Sequence, residues 1–378
     1  MRQNSRPVLD LCRLAAALLV ITIHTAPLSD VSAGADFFLT RILARVAVPY
    51  FFMLTGYFLD KGQWHGMGHT LGKTALIYAF SVLLYLPLNL YAGAFAPFSP
   101  GQFLKELLVD GTFYHLWYLP AVLLGVPVAW ALRRLGWKGG LAAAGALYLL
   151  GLLGDSYYGF AARVPLLKAM YEGLFTVSSY TRNGLFFAPL FLLLGALCTR
   201  VRLKWAWPLA AGSFAAMCAE AFLLKAAGAP RHDSMYVMLP LCMMALFSGL
   251  VQNNAGRCRA AAGTALWVYL LHPWCIVLVR GAAKVLGLQK LFVESGPGHF
   301  IAVALASFAL AFCAQWAAAR LTPARVPATA RAWREVDLAA LRHNAQVLME
   351  ALGGCSLMAV LKADAYGHGA GKVAKALR

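Results

Sequence analysis

Ten apolar stretches, each close to the length of a bilayer-spanning helix, occupy the first 320 residues of this chain. They fall near 8–27, 37–59, 70–92, 115–134, 138–154, 184–200, 205–225, 236–252, 261–281 and 298–320. A hydrocarbon core about 30 Å thick needs roughly 20 apolar residues of helix. Only a helix can satisfy its backbone polar groups within one segment where there is no water. The series therefore predicts an all-α polytopic membrane protein of ten spans embedded in a lipid bilayer. Composition agrees, with 61% hydrophobic and 13% charged residues, where a soluble domain carries roughly a quarter charged. Residues 101–109 read as a brief amphipathic surface helix, and 155–183 as the longest loop.

The formal net charge of +18 does not signal nucleic acid, because the bases sit in short clusters between apolar runs and not along one face. Arg2 and Arg6, Lys61 and Lys73, Arg133, Arg134 and Lys138, Arg200, Arg202 and Lys204, and Arg257 and Arg259 fall on alternate connections. Lys and Arg mark the cytoplasmic side, so ten spans put both termini in the cytoplasm of the cell membrane. The first run reads as a retained span and not a cleaved signal, since Asp10, Arg13 and His24 interrupt it. Eight scattered cysteines without paired spacing signal neither a disulfide framework nor a metal site.

Ionisable residues inside spans are costly, which makes them candidates for function. Arg13 and His24 stand eleven residues apart and so return to nearly the same helix face, separated by roughly 16 Å along the axis. Asp10 can neutralise Arg13 as an i, i+3 partner. Arg45 reaches a similar depth from the second run, whereas Arg41, one turn nearer the surface, is expected to snorkel. His272 and His115 belong to the same level, with Glu220 near the outer end of the seventh run. An imidazole beside guanidinium groups suits acyl transfer, supplying a base near neutral pH and donors for a developing oxyanion. Each residue could instead only pin helices together through buried hydrogen bonds.

The membrane part also carries four ordered motifs: Arg13-x10-His24, Arg45-Val-Ala-Val-Pro-Tyr-Phe-Phe-Met-Leu-Thr-Gly-Tyr-Phe, His115-Leu-Trp-Tyr-Leu-Pro and Tyr269-Leu-Leu-His272-Pro. In these it resembles the acyltransferase 3 family of membrane O-acyltransferases. The resemblance implies an acyl-CoA donor from the cytoplasm and a hydroxyl acceptor at the outer face, such as a cell-surface glycan. His24 is then the catalytic base, and Arg13 and Arg45 serve the donor or the charge balance of the site.

The last fifty residues read differently. Arg331-Ala-Trp-Arg-Glu-Val-Asp-Leu, then Asn344, then Ser356-Leu-Met-Ala-Val-Leu-Lys362-Ala-Asp-Ala-Tyr366-Gly-His-Gly resemble the opening strand, first helix and cofactor-lysine strand of an alanine racemase. This implies a short C-terminal α/β fragment of a TIM barrel, with Lys362 holding pyridoxal phosphate at the C-terminal end of a buried strand. Residues 1–320 would form the membrane domain, 321–330 a Pro-bearing linker and 331–378 the racemase fragment. The family's tyrosine base and phosphate-binding residues are not in this fragment, so no racemase activity is expected from the 378 residues alone.

The two parts in this order resemble the membrane-bound serine/alanine racemases of vancomycin resistance, which make D-amino acids for cell-wall precursors. That resemblance implies L-serine or L-alanine as substrate and a homodimer through the complete racemase domain. It leaves open whether the membrane domain supplies L-serine or acylates a hydroxyl.

Overall fold

The computed structural model describes residues 7–94, 96, 98–253, 261–321, 336–354, 356–366 and 368–377. The bases Arg2, Arg6, Arg257 and Arg259, nearly all of the linker, the expected opening strand up to residue 335 and the side chain of Tyr366 lie outside the described residues. Two compact units divide the chain near Ala318.

The first unit is built from helices α1 (Pro7–Thr25), α2 (Ala33–Lys61), α3 (Met67–Tyr91), α4 (Tyr118–Arg133), α5 (Gly136–Leu153), α6 (Pro165–Val177), α7 (Ala188–Leu197), α8 (Ala206–Ala226), α9 (Leu239–Gln252), α10 (Ala261–Val285) and α11 (Gly296–Leu321). Among the described residues, α1, α2, α3, α5, α8, α10 and α11 are the seven helices long and apolar enough to cross a membrane, while α4, α7 and α9 are shorter apolar helices. On α3 and α11, Leu76, Leu83, Leu305 and Phe312 are exposed. Such apolar surface needs lipid to cover it, and the protein is a membrane protein.

Helix α6 lies inside the stretch read from sequence as a loop. Pro165 stands in its first turn, where the fixed φ of proline suits a helix and its missing N–H costs nothing. The amphipathic segment expected at 101–109 is a short α-helix, Pro100–Lys105, running into a π-turn, Glu106–Asp110.

The core gathers Phe52, Met53 and Tyr57 of α2, Phe191 and Leu192 of α7 and Phe247 of α9. Helices α2 and α7 cross with their backbones in near contact. A Cβ on Gly56 would fall on the Leu192 carbonyl, and one on Gly195 on the Met53 carbonyl. Small residues at a crossing allow this approach, which in lipid is a main source of helix association. Buried tyrosines fix the other neighbours, with Tyr50 OH donating to Leu9 O at 2.6 Å, Tyr85 OH to Leu270 O at 2.6 Å and Tyr148 OH to Tyr236 O at 2.7 Å. The first two tie α2 to α1 and α3 to α10, and α1, α2 and α10 carry side chains of the candidate site.

The second unit contains α12 (Leu338–Ala351) and α13 (Ala370–Ala376). Asp337 caps α12 by accepting from Ala339 N at 2.9 Å and Ala340 N at 3.0 Å, satisfying two of the free first-turn donors. Arg342 Nε donates to Ala376 O at 3.1 Å and joins the two helices. The strand expected at 356–362 is not formed. Residues 356–361 have no regular structure, and Ala363, Asp364 and Ala365 make a left-handed turn. A strand needs a neighbour to take its N–H and C=O groups, and no strand occurs among the described residues.

Candidate functional site

Helix α2 is not uniform. A π-turn at Phe38–Ile42 passes into a 3-10 turn at Leu43–Val46 before regular α-helix resumes at Ala47. This break resets the helical phase and leaves Arg45 buried, at 7% exposure, while Arg41 stays exposed. Both side chains nevertheless line one cavity of about 460 Å³. His24 lines it from α1, and so does Arg13, nearer the N-terminal end of the same helix. Arg13 pairs with Asp10 at 2.9 Å, as the i, i+3 spacing predicts.

Helix α10 brings His272 to the same place. Its ring stacks on His24 with centroids 5.3 Å apart and 27° between planes, and its centroid lies 5.2 Å from that of His115. The next residue, Pro273, lies inside the helix and has no N–H to give to the carbonyl four residues back. That carbonyl, Tyr269 O, is taken by His272 Nδ1 at 2.9 Å. A carbonyl only accepts, so the proton of His272 sits on Nδ1. Its Nε2 is then a bare acceptor, buried and without a hydrogen-bond partner. The His-Pro pair thus fixes the tautomer of an imidazole in contact with His24.

His115 enters from the segment before α4. Gly111 turns the chain there with φ +83°, and a Cβ on it would meet Trp117 N at 2.5 Å. The Tyr269 hydroxyl donates to His115 O at 2.9 Å, fixing that segment to α10. Both ring nitrogens of His115 are buried without partners. His24 also packs against Tyr114, with centroids 4.7 Å apart.

Glu220 does not join this cluster. It accepts from Tyr157 OH at 2.9 Å, Val237 N at 2.6 Å and Met238 N at 3.0 Å, which caps the start of α9.

A fourth arginine, Arg182, lines the cavity and was not picked out from the sequence. Its guanidinium lies over the rings of Tyr180, at 4.6 Å, and Trp117, at 5.1 Å. Its Nη1 donates to Ser234 Oγ at 3.3 Å. Burial lowers its pKa, partly opposed by Asp155. Asp155 is fully buried and ties the 155–157 and 231–236 segments together, accepting from Ser234 N at 2.8 Å and Met235 N at 3.0 Å. Burial pushes its carboxyl up to about 6, against the opposing effects of the Ser234 N–H and Arg182. The one sequence signal for Arg182 was its place directly before the apolar run at 184–200, but Arg163 and Lys168 share the same long segment.

In the second unit, Lys362 is exposed, as are Leu357, Met358 and Val360 before it and Asn344 on α12. A cofactor aldehyde bound covalently needs a lysine in a pocket that excludes water. Among the described residues, those around Lys362 do not build such a pocket.

The acyltransferase domain of the acyltransferase 3 type matches residues 6–316. The chain belongs to the acyltransferase 3 family. The N-terminal domain of alanine racemase matches residues 336–378. An amino-acid racemase of Enterococcus faecalis is 39% identical over 97% of this chain and 54% of its own length. A serine/alanine racemase of Enterococcus gallinarum is 32% identical over 98% of this chain and 55% of its own length. The chain therefore spans about half the length of these relatives. Its end is also 59% identical over 49 residues to an alanine racemase of Streptomyces coelicolor, covering 13% of this chain and 12% of that protein. No solved structure matches the chain.

Proposed function

We propose that this chain is the membrane domain and cofactor-lysine segment of a membrane-bound racemase acting on L-serine and L-alanine. The observation that carries this reading is that both racemase relatives align across nearly the whole chain, through the acyltransferase 3 part and the racemase part in the same order. In this reading α1–α5 and α7–α11 are ten spans of the plasma membrane, with both termini in the cytoplasm. Residues 1–320 form the membrane domain and 331–378 begin the racemase domain. Lys362 is the residue that carries pyridoxal phosphate, and the complete racemase domain forms the homodimer. The membrane domain brings L-serine to it through the cavity beside His24.

The test is D-serine formation. Membranes of a host without other alanine racemases, carrying this membrane domain joined to a complete racemase domain, are expected to convert L-serine to D-serine, whereas the 378 residues alone are expected not to. Lys362→Ala should remove the conversion with no change in membrane abundance. Conversion that survives Lys362→Ala would eliminate Lys362 as the cofactor lysine.

A second reading is favoured by one observation, the bare Nε2 of His272 in ring contact with His24. An acceptor nitrogen there can hold a proton of the His24 ring and leave its other nitrogen as a base, as a third group orients the base in other acyl-transfer sites. In that reading the membrane domain moves an acyl group from acyl-CoA to an outer hydroxyl, with Arg13 and Arg45 on the donor.

A further inference from the structure

The charges around the cavity that His24 lines do not balance. Arg13, Arg41, Arg45 and Arg182 line it, and among the described residues no carboxylate does. Arg13 has Asp10. Arg45 and Arg182 have no such partner, and the Nε of each is buried without a hydrogen bond. A separate crevice of about 20 Å³ is lined by Arg45, Arg182 and Ser234, room for roughly one water-sized group. The nearby acid, Asp155, accepts at Oδ1 from Ser234 N and Met235 N, while its Oδ2 is buried without a hydrogen-bond partner and makes no ion pair with either arginine. A buried guanidinium without a direct ion pair is costly, and these two lie against the same small space.

Both arginines are held in place. Arg45 is set by the π and 3-10 break in α2. Arg182 is set by Asn183, whose Oδ1 accepts from Leu185 N at 2.9 Å and Phe186 N at 3.0 Å while its Nδ2 donates to Tyr180 O at 3.0 Å. Gly184 lets this segment close on α4, since a Cβ there would meet Ala121 O at 2.9 Å. Guanidinium forks match the paired oxygens of a carboxylate or phosphate, and donors fixed beforehand bind without an ordering cost.

We propose that Arg45 and Arg182 form an oxyanion clamp beside His24, which binds the carboxylate or phosphate oxygens of a small anionic ligand. The clamp does not depend on whether the domain supplies an amino acid or transfers an acyl group. No described residue lining the cavity offers a carboxylate to an ammonium group, so the negative end of the ligand is the end recognised by charge. The apolar lining from Val20, Val48 and Leu266 is left for the remainder.

The experiment is calorimetric titration of the purified full chain in lipid nanodiscs. The probes are L-serine, inorganic phosphate and serinol, the amino alcohol that lacks the carboxylate. Wild-type protein is expected to bind L-serine or phosphate and not serinol. Arg45→Gln and Arg182→Gln are each expected to weaken that binding at least tenfold, and Arg182→Lys to weaken it less than Arg182→Gln does. Binding of L-serine alone identifies an amino-acid carboxylate, and binding of phosphate alone identifies a phosphorylated ligand; both outcomes support the clamp. Serinol binding as tightly as L-serine, no anion binding to the wild type, or unchanged affinity in both Gln variants would each overturn it. The serine–serinol comparison uses wild-type protein and holds even where a variant fails to fold. Failure of the racemase reading would show separately, as absent D-serine formation.

Discussion

His24 is the side chain on which the cavity and the imidazole cluster meet. It lines the cavity, stacks on His272 and packs against Tyr114. Removing a general base typically costs on the order of 10² to 10⁴ in rate. His24→Ala is therefore expected to lower acyl transfer by at least about 100-fold. Its ring is only half-buried and makes no hydrogen bond that holds helices together, so the thermal midpoint should change little. Wild-type activity in this variant would remove His24 from the chemistry. Helical periodicity put Arg13, His24 and Arg45 forward together, and the three line one cavity. The sequence could not show that His272 has a fixed tautomer, because that depends on which carbonyl Pro273 leaves free.

Between elements, the α2–α7 crossing and the Asp155 joint carry the architecture. Gly195→Ala puts a methyl group against the Met53 backbone, and overpacking of this kind costs about 1–3 kcal/mol or more. Gly212→Ala on α8, where a Cβ meets nothing within 4 Å, should be neutral or stabilising by up to about 1 kcal/mol. Thermal unfolding of the two variants in the same detergent compares them, and equal midpoints would mean that the close crossing contributes nothing. At the Asp155 joint the folded-state pKa of about 6 stands above the unfolded value near 3.9. The folded state therefore binds more protons between these values, and the stability from this group is complete below about 4 and lost as pH rises through about 6. Asp155→Asn keeps an acceptor for Ser234 N and Met235 N but does not titrate. Its midpoint is expected to gain on that of the wild type as pH goes from 4 to 7, and a constant difference would mean that Asp155 is ionised throughout. Neither feature was legible beforehand. A glycine in an apolar run does not announce its neighbour, and an acid in a stretch read as a loop looks solvated.

For the whole molecule, the reading in which the membrane domain supplies L-serine predicts uptake. Vesicles containing the purified chain should accumulate labelled L-serine without any acyl donor, and uptake equal to that of empty vesicles would leave acyl transfer as the activity of the cavity. The apolar run lengths determined by themselves that this chain lives in a membrane as a helical bundle, since a 30 Å hydrocarbon layer permits little else. Sequence motifs alone likewise marked the tail as racemase-like, because that signal is carried by residue identity. Only the tertiary structure decided which of the costly polar residues share a space. It set Glu220 to capping α9 and brought Arg182, from a segment that looked like a loop, against Arg45. It also left 356–361 without strand structure. The reason is common to all three cases. A helix in lipid is fixed by its own sequence, whereas a charge pair, a cap or a strand is fixed by what another part of the chain places beside it.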